Sequence, residues 1–141
     1  MTPLDALQKT LAGEHAAVYV YRALAGRVSA SAQPDLAGRL AAAYTLHRGR
    51  RDQLIAMVRV AKGEPVAADV SYELPNPSRT AGQLRAGALV SEERCAEVYG
   101  AMVGSTSRGN RQWAIDALGD AAVRLLGFGG VPADFPGVSE L

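Results

Sequence analysis

A glutamate followed seven residues later by a tyrosine occurs twice in this chain, as Glu14 with Tyr21 and as Glu92 with Tyr99. Seven positions make two turns of helix, so each pair shares one face. The flanking segments repeat too: LAGEHAAVYVYRALAG from residue 11 lies over LVSEERCAEVYGAMVG from residue 89, with Leu, Glu, Tyr and a closing Gly coinciding. A third chemically capable residue, His47, opens the stretch HRGRRDQL. Two carboxylates and an imidazole suit a divalent first-row metal, with positions left open for water or oxygen. The same groups can instead hydrogen-bond one another or a tyrosine hydroxyl, forming a polar layer that fixes helix register. In both cases Glu14 and Glu92 need partners, because a bare carboxylate inside a helical bundle is costly.

The remaining polar residues read as surface or support. Glu92 has Glu93 and Glu97 beside it, an outer acidic row, and is either an inner group or part of that row. His15 points about a quarter-turn away from Glu14 and reads as a surface or interface residue. Arg48, Arg50 and Arg51, with Arg59 further on, make a locally basic stretch. The helical turn spreads them apart and Asp52 partly offsets them, so they read as an exposed face rather than a phosphate site. Asp116, Asp120 and Arg124, four apart, read as a solvated stripe with one ion pair. The single cysteine, Cys95, has no CxxC or Cys/His companion in the sequence, so no cysteine-based zinc site or redox pair is expected. Tyr19 and Tyr21 could be redox-active beside a metal, or core tyrosines with the hydroxyl at the edge. P-loop, GxGxxG, GxSxG and HExxH patterns do not occur, leaving nucleotide and hydrolase chemistry without support.

Four helices must position these groups. The first, from residue 3 to 27, starts with Thr2 as N-cap and Pro3 in the first turn. Leu4, Leu7, Leu11, Glu14, Val18, Tyr21 and Ala25 form its seam, while Ala12, Ala16, Tyr19, Val20 and Ala23 make the opposite side apolar as well. A helix apolar nearly all round is covered on both sides, which predicts a homodimer. The second helix runs from about residue 34 to 62, with an inner stripe of Leu36, Leu40, Ala43 or Tyr44, His47, Leu54 and Val58. A link containing EPVAADVSYELPNPS follows, long for a bundle connection and able to let the second and third helices run parallel. The third helix is expected over 80–103 and the fourth over 110–126, the latter with Ile115, Leu118, Ala122 and Leu125 inward. From about residue 128 the tail is expected to be irregular, with Phe135 able to pin it. The whole chain, 1–141, is expected to be one domain.

Composition narrows the function classes. The hydrophobic fraction is 48% but aromatics supply only 6%, so the core is built from Ala, Leu and Val, which favours helices. A net charge of +1 lacks the field of a strong nucleic-acid binder. No apolar run is long enough to span a membrane, and MTPLDALQKT lacks the features of a secretory signal, so a cytoplasmic protein is expected.

The stretches ALQKTLAGEHAAVYVY, HRGRRDQL, the YELP of the link, AAVRLL and the closing FPG resemble the ferritin-like superfamily, more narrowly an uncharacterised family of GC-rich bacteria. The resemblance covers almost the whole chain and implies an all-α, ferritin-like four-helix bundle with a long crossover between the second and third helices. In di-iron carboxylate bundles the first and third helices each give a Glu, and the second and fourth each give Glu-x-x-His. Carried over, that set yields Glu14, His47 and Glu92 as matches, with Tyr44, Asp116 and Gly119 as departures. Two readings follow. One is a non-catalytic assembling or interaction protein with a degenerate di-iron site. The other is a metal-binding protein or metal-dependent oxidoreductase holding a single iron, manganese or zinc ion at Glu14, His47 and Glu92, with Tyr44 and Tyr21 behind the ligands.

Overall fold

The Thr2 hydroxyl accepts the Asp5 N–H at 3.1 Å, and the Asp5 carboxylate accepts the Thr2 N–H at 2.9 Å. This reciprocal cap satisfies donors that a helix start otherwise leaves orphaned, and it opens α1 (Pro3–Arg27). Thr80 and Gln83 repeat the device at the start of α3 (Ala81–Ser105). The computed structural model describes residues 1–138; its other helices are α2 (Pro34–Val60) and α4 (Arg108–Gly127), and no strand occurs among the described residues. The all-α, four-helix expectation therefore holds, with boundaries within two residues of those read from the caps and prolines.

Two apolar clusters set the helix directions. One joins Ala6, Leu7 and Leu11 of α1 with Leu54 and Val58 of α2, Met102 of α3 and Ala114 of α4. The other joins Ala17 to Leu24 of α1 with Leu36 to Ala43 of α2, Leu84 to Tyr99 of α3, and Ala117, Ala121 and Phe128. The early part of α1 thus meets the late parts of α2 and α3, so α1 is antiparallel to both, and α2 and α3 point the same way. Glu14 and His47 fall between the two clusters along their own helices, so the apolar core is divided by a polar layer.

Residues 61–80 join α2 to α3 and lie along α1. Gln8 donates to the Glu64 carbonyl at 2.6 Å and accepts the Val66 N–H at 2.9 Å; His15 meets the Val66 carbonyl at 2.9 Å; Tyr19 packs on Tyr72; Arg27 donates to the Pro77 carbonyl at 3.2 Å. His15 is therefore buried beneath this segment rather than left at the surface. The outer side of α1 is covered only in part: Val20 is 4% exposed, while Tyr19 is 36% exposed and Ala12 also faces outward.

Two expectations about the C-terminal part need correction. The fourth helix turns Ala114, Ala117 and Ala121 inward, while Ile115 is 45% exposed. Trp113 packs edge-on against the Tyr99 ring and Leu118 lies partly buried against the same cluster, so the alanines fill the closest approach between them. Phe135 is 62% exposed and does not pin the tail; Phe128, 2% exposed, packs against the Tyr21 ring instead. The tail docks on α3 through Gly137, whose φ of +80° and position allow no side chain, since a Cβ there would stand 2.4 Å from the Ala96 carbonyl oxygen. Gly137→Ala should cost the docked tail about 1 kcal/mol or more. Amide exchange in residues 128–138 should accelerate while that of the helices stays unchanged; unaltered exchange there would count against this account.

Candidate functional site

His47 occupies the centre of the polar layer with no exposure. Its Nδ1 lies 2.6 Å from Glu14 Oε2 and its Nε2 lies 2.9 Å from Glu92 Oε1. Tyr21 of α1 donates to Glu92 of α3 at 2.7 Å, and Tyr99 of α3 donates to Glu14 of α1. The sequence repeat thus acquires a structural meaning: each half's tyrosine serves the other half's glutamate. The Tyr21 ring also stacks on the imidazole, with centroids 5.2 Å apart and planes 13° from parallel.

Carboxylates only accept hydrogen bonds, so an imidazole with one at each ring nitrogen must donate from both. The geometry calls for an imidazolium. Burial opposes that charge, but hydrogen bonds and attraction from Glu14 and Glu92 outweigh it and raise the His47 pKa to about 9. Burial likewise works against the Glu92 charge, and the bonds from His47 and Tyr21, with Arg124 nearby, still hold its carboxyl below the usual value. Burial, followed by the Glu92 charge, pushes the Tyr21 hydroxyl far above its ordinary range, so it remains a donor.

The network continues where sequence reasoning expected a solvated face. Arg50 is buried: Nη1 donates to the Tyr99 hydroxyl at 3.1 Å and Nη2 to Asp120 Oδ2 at 2.6 Å, with the guanidinium over the Tyr99 ring. Arg124 holds the same carboxylate at 2.6 and 3.2 Å. Its Nη1 also comes within 4.0 Å of Glu92 Oε2, a buried oxygen that has no hydrogen-bond partner among the described residues. Asp120, Arg50, Tyr99, Glu14, His47, Glu92 and Arg124 therefore form a ring of alternating donors and acceptors, open only at the last contact. Its formal charges cancel: Glu14, Glu92 and Asp120 against His47, Arg50 and Arg124. The ring reaches water chiefly at Asp120, whose side chain is 40% exposed, against 0% for His47 and both glutamates. The fourth helix thus contributes two members. From the sequence Asp120 and Arg124 read as part of a solvated stripe with one ion pair.

Not every sequence candidate joins the ring. Tyr44 is half-buried one turn before His47, beneath the Arg48 guanidinium. Asp116 is exposed and accepts from Gln112, and Gly119 has no side chain to offer. A two-ion carboxylate centre does not fit these residues, because nothing stands where the second ion's ligands are required. For one ion, Glu14, His47 and Cys95 offer donor atoms within 4.8 Å of one another, a buried group that could hold a metal. Glu92 meets the opposite edge of the imidazole. Cys95 was dismissed from its lack of a CxxC neighbour; its companions come from other helices, which no local motif can reveal. Burial holds its thiol pKa well above the ordinary value, with Glu14 and Glu92 adding to the effect, so a proton must leave before it can bind a metal.

Two comparisons bear on this arrangement. Residues 6–140 match the family model described as a domain of unknown function, DUF4439. A conserved hypothetical protein from Mycobacterium tuberculosis, rv2844, known from a crystal structure, is similar over 90% of this chain and 94% of its own, with 27% identity and a TM-score of 0.82. No curated protein matches the chain.

Proposed function

The chain belongs to the family of this domain of unknown function, whose description assigns no chemistry, and we propose that it is a non-catalytic, ferritin-like bundle acting as an assembling or interaction protein. In this reading the residues placed like di-iron ligands now bind one another, and the internal charges serve to hold the four helices in one register. The observation that carries it is that both nitrogens of His47 are engaged by carboxylates, leaving no ring lone pair for a metal. The reading also takes 1–141 as a single cytoplasmic domain without strong affinity for nucleic acid. A homodimer remains the proposed assembly. None of the helices is long and apolar enough to cross a membrane.

A second reading rests on the Glu14, His47 and Cys95 donors: a single divalent ion, iron, manganese or zinc, replaces one ring proton of His47 and the thiol proton of Cys95. Thermal unfolding separates the two. A ligand present at a hundred times its Kd stabilises a protein by about 2.7 kcal/mol, several degrees in Tm for a chain of this size. The protein purified without a metal-affinity tag should melt at the same temperature, within about 1 °C, in chelator or in a hundredfold molar excess of zinc, manganese or ferrous ion. A rise of several degrees with one of these ions, absent from Cys95→Ala, would displace the first reading in favour of the second.

A further inference from the structure

Val131, Phe135 and Val138 are 78%, 62% and 51% exposed, and all three line one groove of about 340 Å³ between the tail and α3 and α4. Ala96, Ala122 and Leu125 form its floor. The groove is a built feature: the tail approaches α3 at Gly137, where a Cβ would collide with the Ala96 carbonyl oxygen, and Gly100 faces the Gly137 backbone at ordinary van der Waals distance. Exposed apolar side chains gathered around a concave surface mark a binding site more strongly than the same residues scattered singly. The volume lies at the small-molecule end of ligand sites.

The rim states the sign of the ligand. Glu93 and Glu97 border the groove one helical turn apart, both exposed, and neither forms an ion pair among the described residues. Like charges at this spacing repel, a cost that a cation seated between them removes. Among the described residues no basic side chain lines the groove.

We propose that this groove binds a small ligand with an apolar body and one positive charge, such as an alkyl- or arylalkyl-ammonium, its body on Leu125, Val131 and Phe135 and its charge at Glu93 and Glu97. The site lies on the outer side of α3 and is separate from the His47 ring. Its occupancy does not depend on whether that ring holds protons or a metal.

The test uses the full chain and three probes of one size: phenethylammonium, 2-phenylethanol and phenylacetate. Amide and methyl shifts are followed by NMR up to about 10 mM, a range that covers weak binding. The ammonium should perturb Ala96, Ala122, Leu125 and Gly137 and bind about 1.5- to 5-fold more tightly than the alcohol, the contribution expected of exposed charge pairs. Phenylacetate should bind most weakly. Glu93→Gln with Glu97→Gln should abolish the preference for the ammonium without lowering Tm, and Phe135→Ala should weaken the ammonium and the alcohol alike. Equal binding of ammonium and alcohol, shifts that map elsewhere, no binding by any probe, or a preference that survives in the double variant would each overturn the proposal.

Discussion

His47→Ala should destabilise the protein by about 3 to 5 kcal/mol, the range found when one partner of a buried ion pair is removed and the other charge stays behind. The estimate sits at the severe end for a point substitution, because two carboxylates are stranded and neither has any exposure. Tyr99 would still serve Glu14, and Tyr21 would still serve Glu92, but neutral hydroxyls cannot replace an imidazolium. Combining His47→Ala with Glu14→Gln and Glu92→Gln should recover part of the loss, since it removes both stranded charges and each amide oxygen can still accept from its tyrosine. Urea unfolding monitored by far-UV circular dichroism measures both variants. A loss below about 1 kcal/mol for the single variant would mean that water reaches the carboxylates, and the ring would lose its place in the fold's energetics.

The second large effect is alkaline. A group whose pKa is higher in the folded state contributes stability that is complete below its unfolded pKa and disappears as pH rises through the folded value. His47 rises from 6.5 to about 9 on folding. Stability should therefore decline between about pH 6.5 and 9, by on the order of 3 kcal/mol once His47 has titrated. Glu92 is shifted down, so its share is present above its unfolded pKa and lost on acidification. The two shifts report one attraction from opposite sides and are not summed. Cys95, raised from 9.0, adds a loss of the same sign only above that pH. The urea midpoint should be highest from about pH 5 to 6.5, and the alkaline decline should vanish in the triple variant. A midpoint that stays flat from pH 6.5 to 9.5 would show that His47 is neutral in the folded protein.

Much of this architecture is legible in the sequence, and the failures share a cause. The helix limits follow from Thr2, Pro3, Pro34 and Thr80, because caps and prolines act locally. Glu14 and His47 declare themselves by interrupting apolar stripes, and the repeat links Glu92 to Glu14. Arg50 escapes notice because it looks solvated on its own helix; its burial comes from Tyr99 and Asp120 on other helices, which leaves no periodic trace on α2. The fourth helix misleads in part. Of the stripe read as inward, Leu118 does pack against the core, but Ile115 turns outward and the alanines at 114, 117 and 121 take the innermost positions. The link, with its three prolines, looks like a spacer in the sequence, whereas Gln8, His15 and Arg27 anchor it along α1.

The exchange of tyrosines between halves has a consequence for assembly. Tyr21 to Glu92, Tyr99 to Glu14, His47 to Glu92 and Arg50 to Asp120 all join the pair α1 and α2 to the pair α3 and α4. Neither hairpin can complete these bonds alone, and their partners lie far apart along the chain, so loop closure has to come first. Hairpins that dock one turn out of step would still bury alanine and leucine tolerably well, because such surfaces are nearly uniform along their length. They would also bury carboxylates without cations. The charge ring therefore acts as a proofreading device: oily contact brings the halves together, and the ions reject every alignment but one.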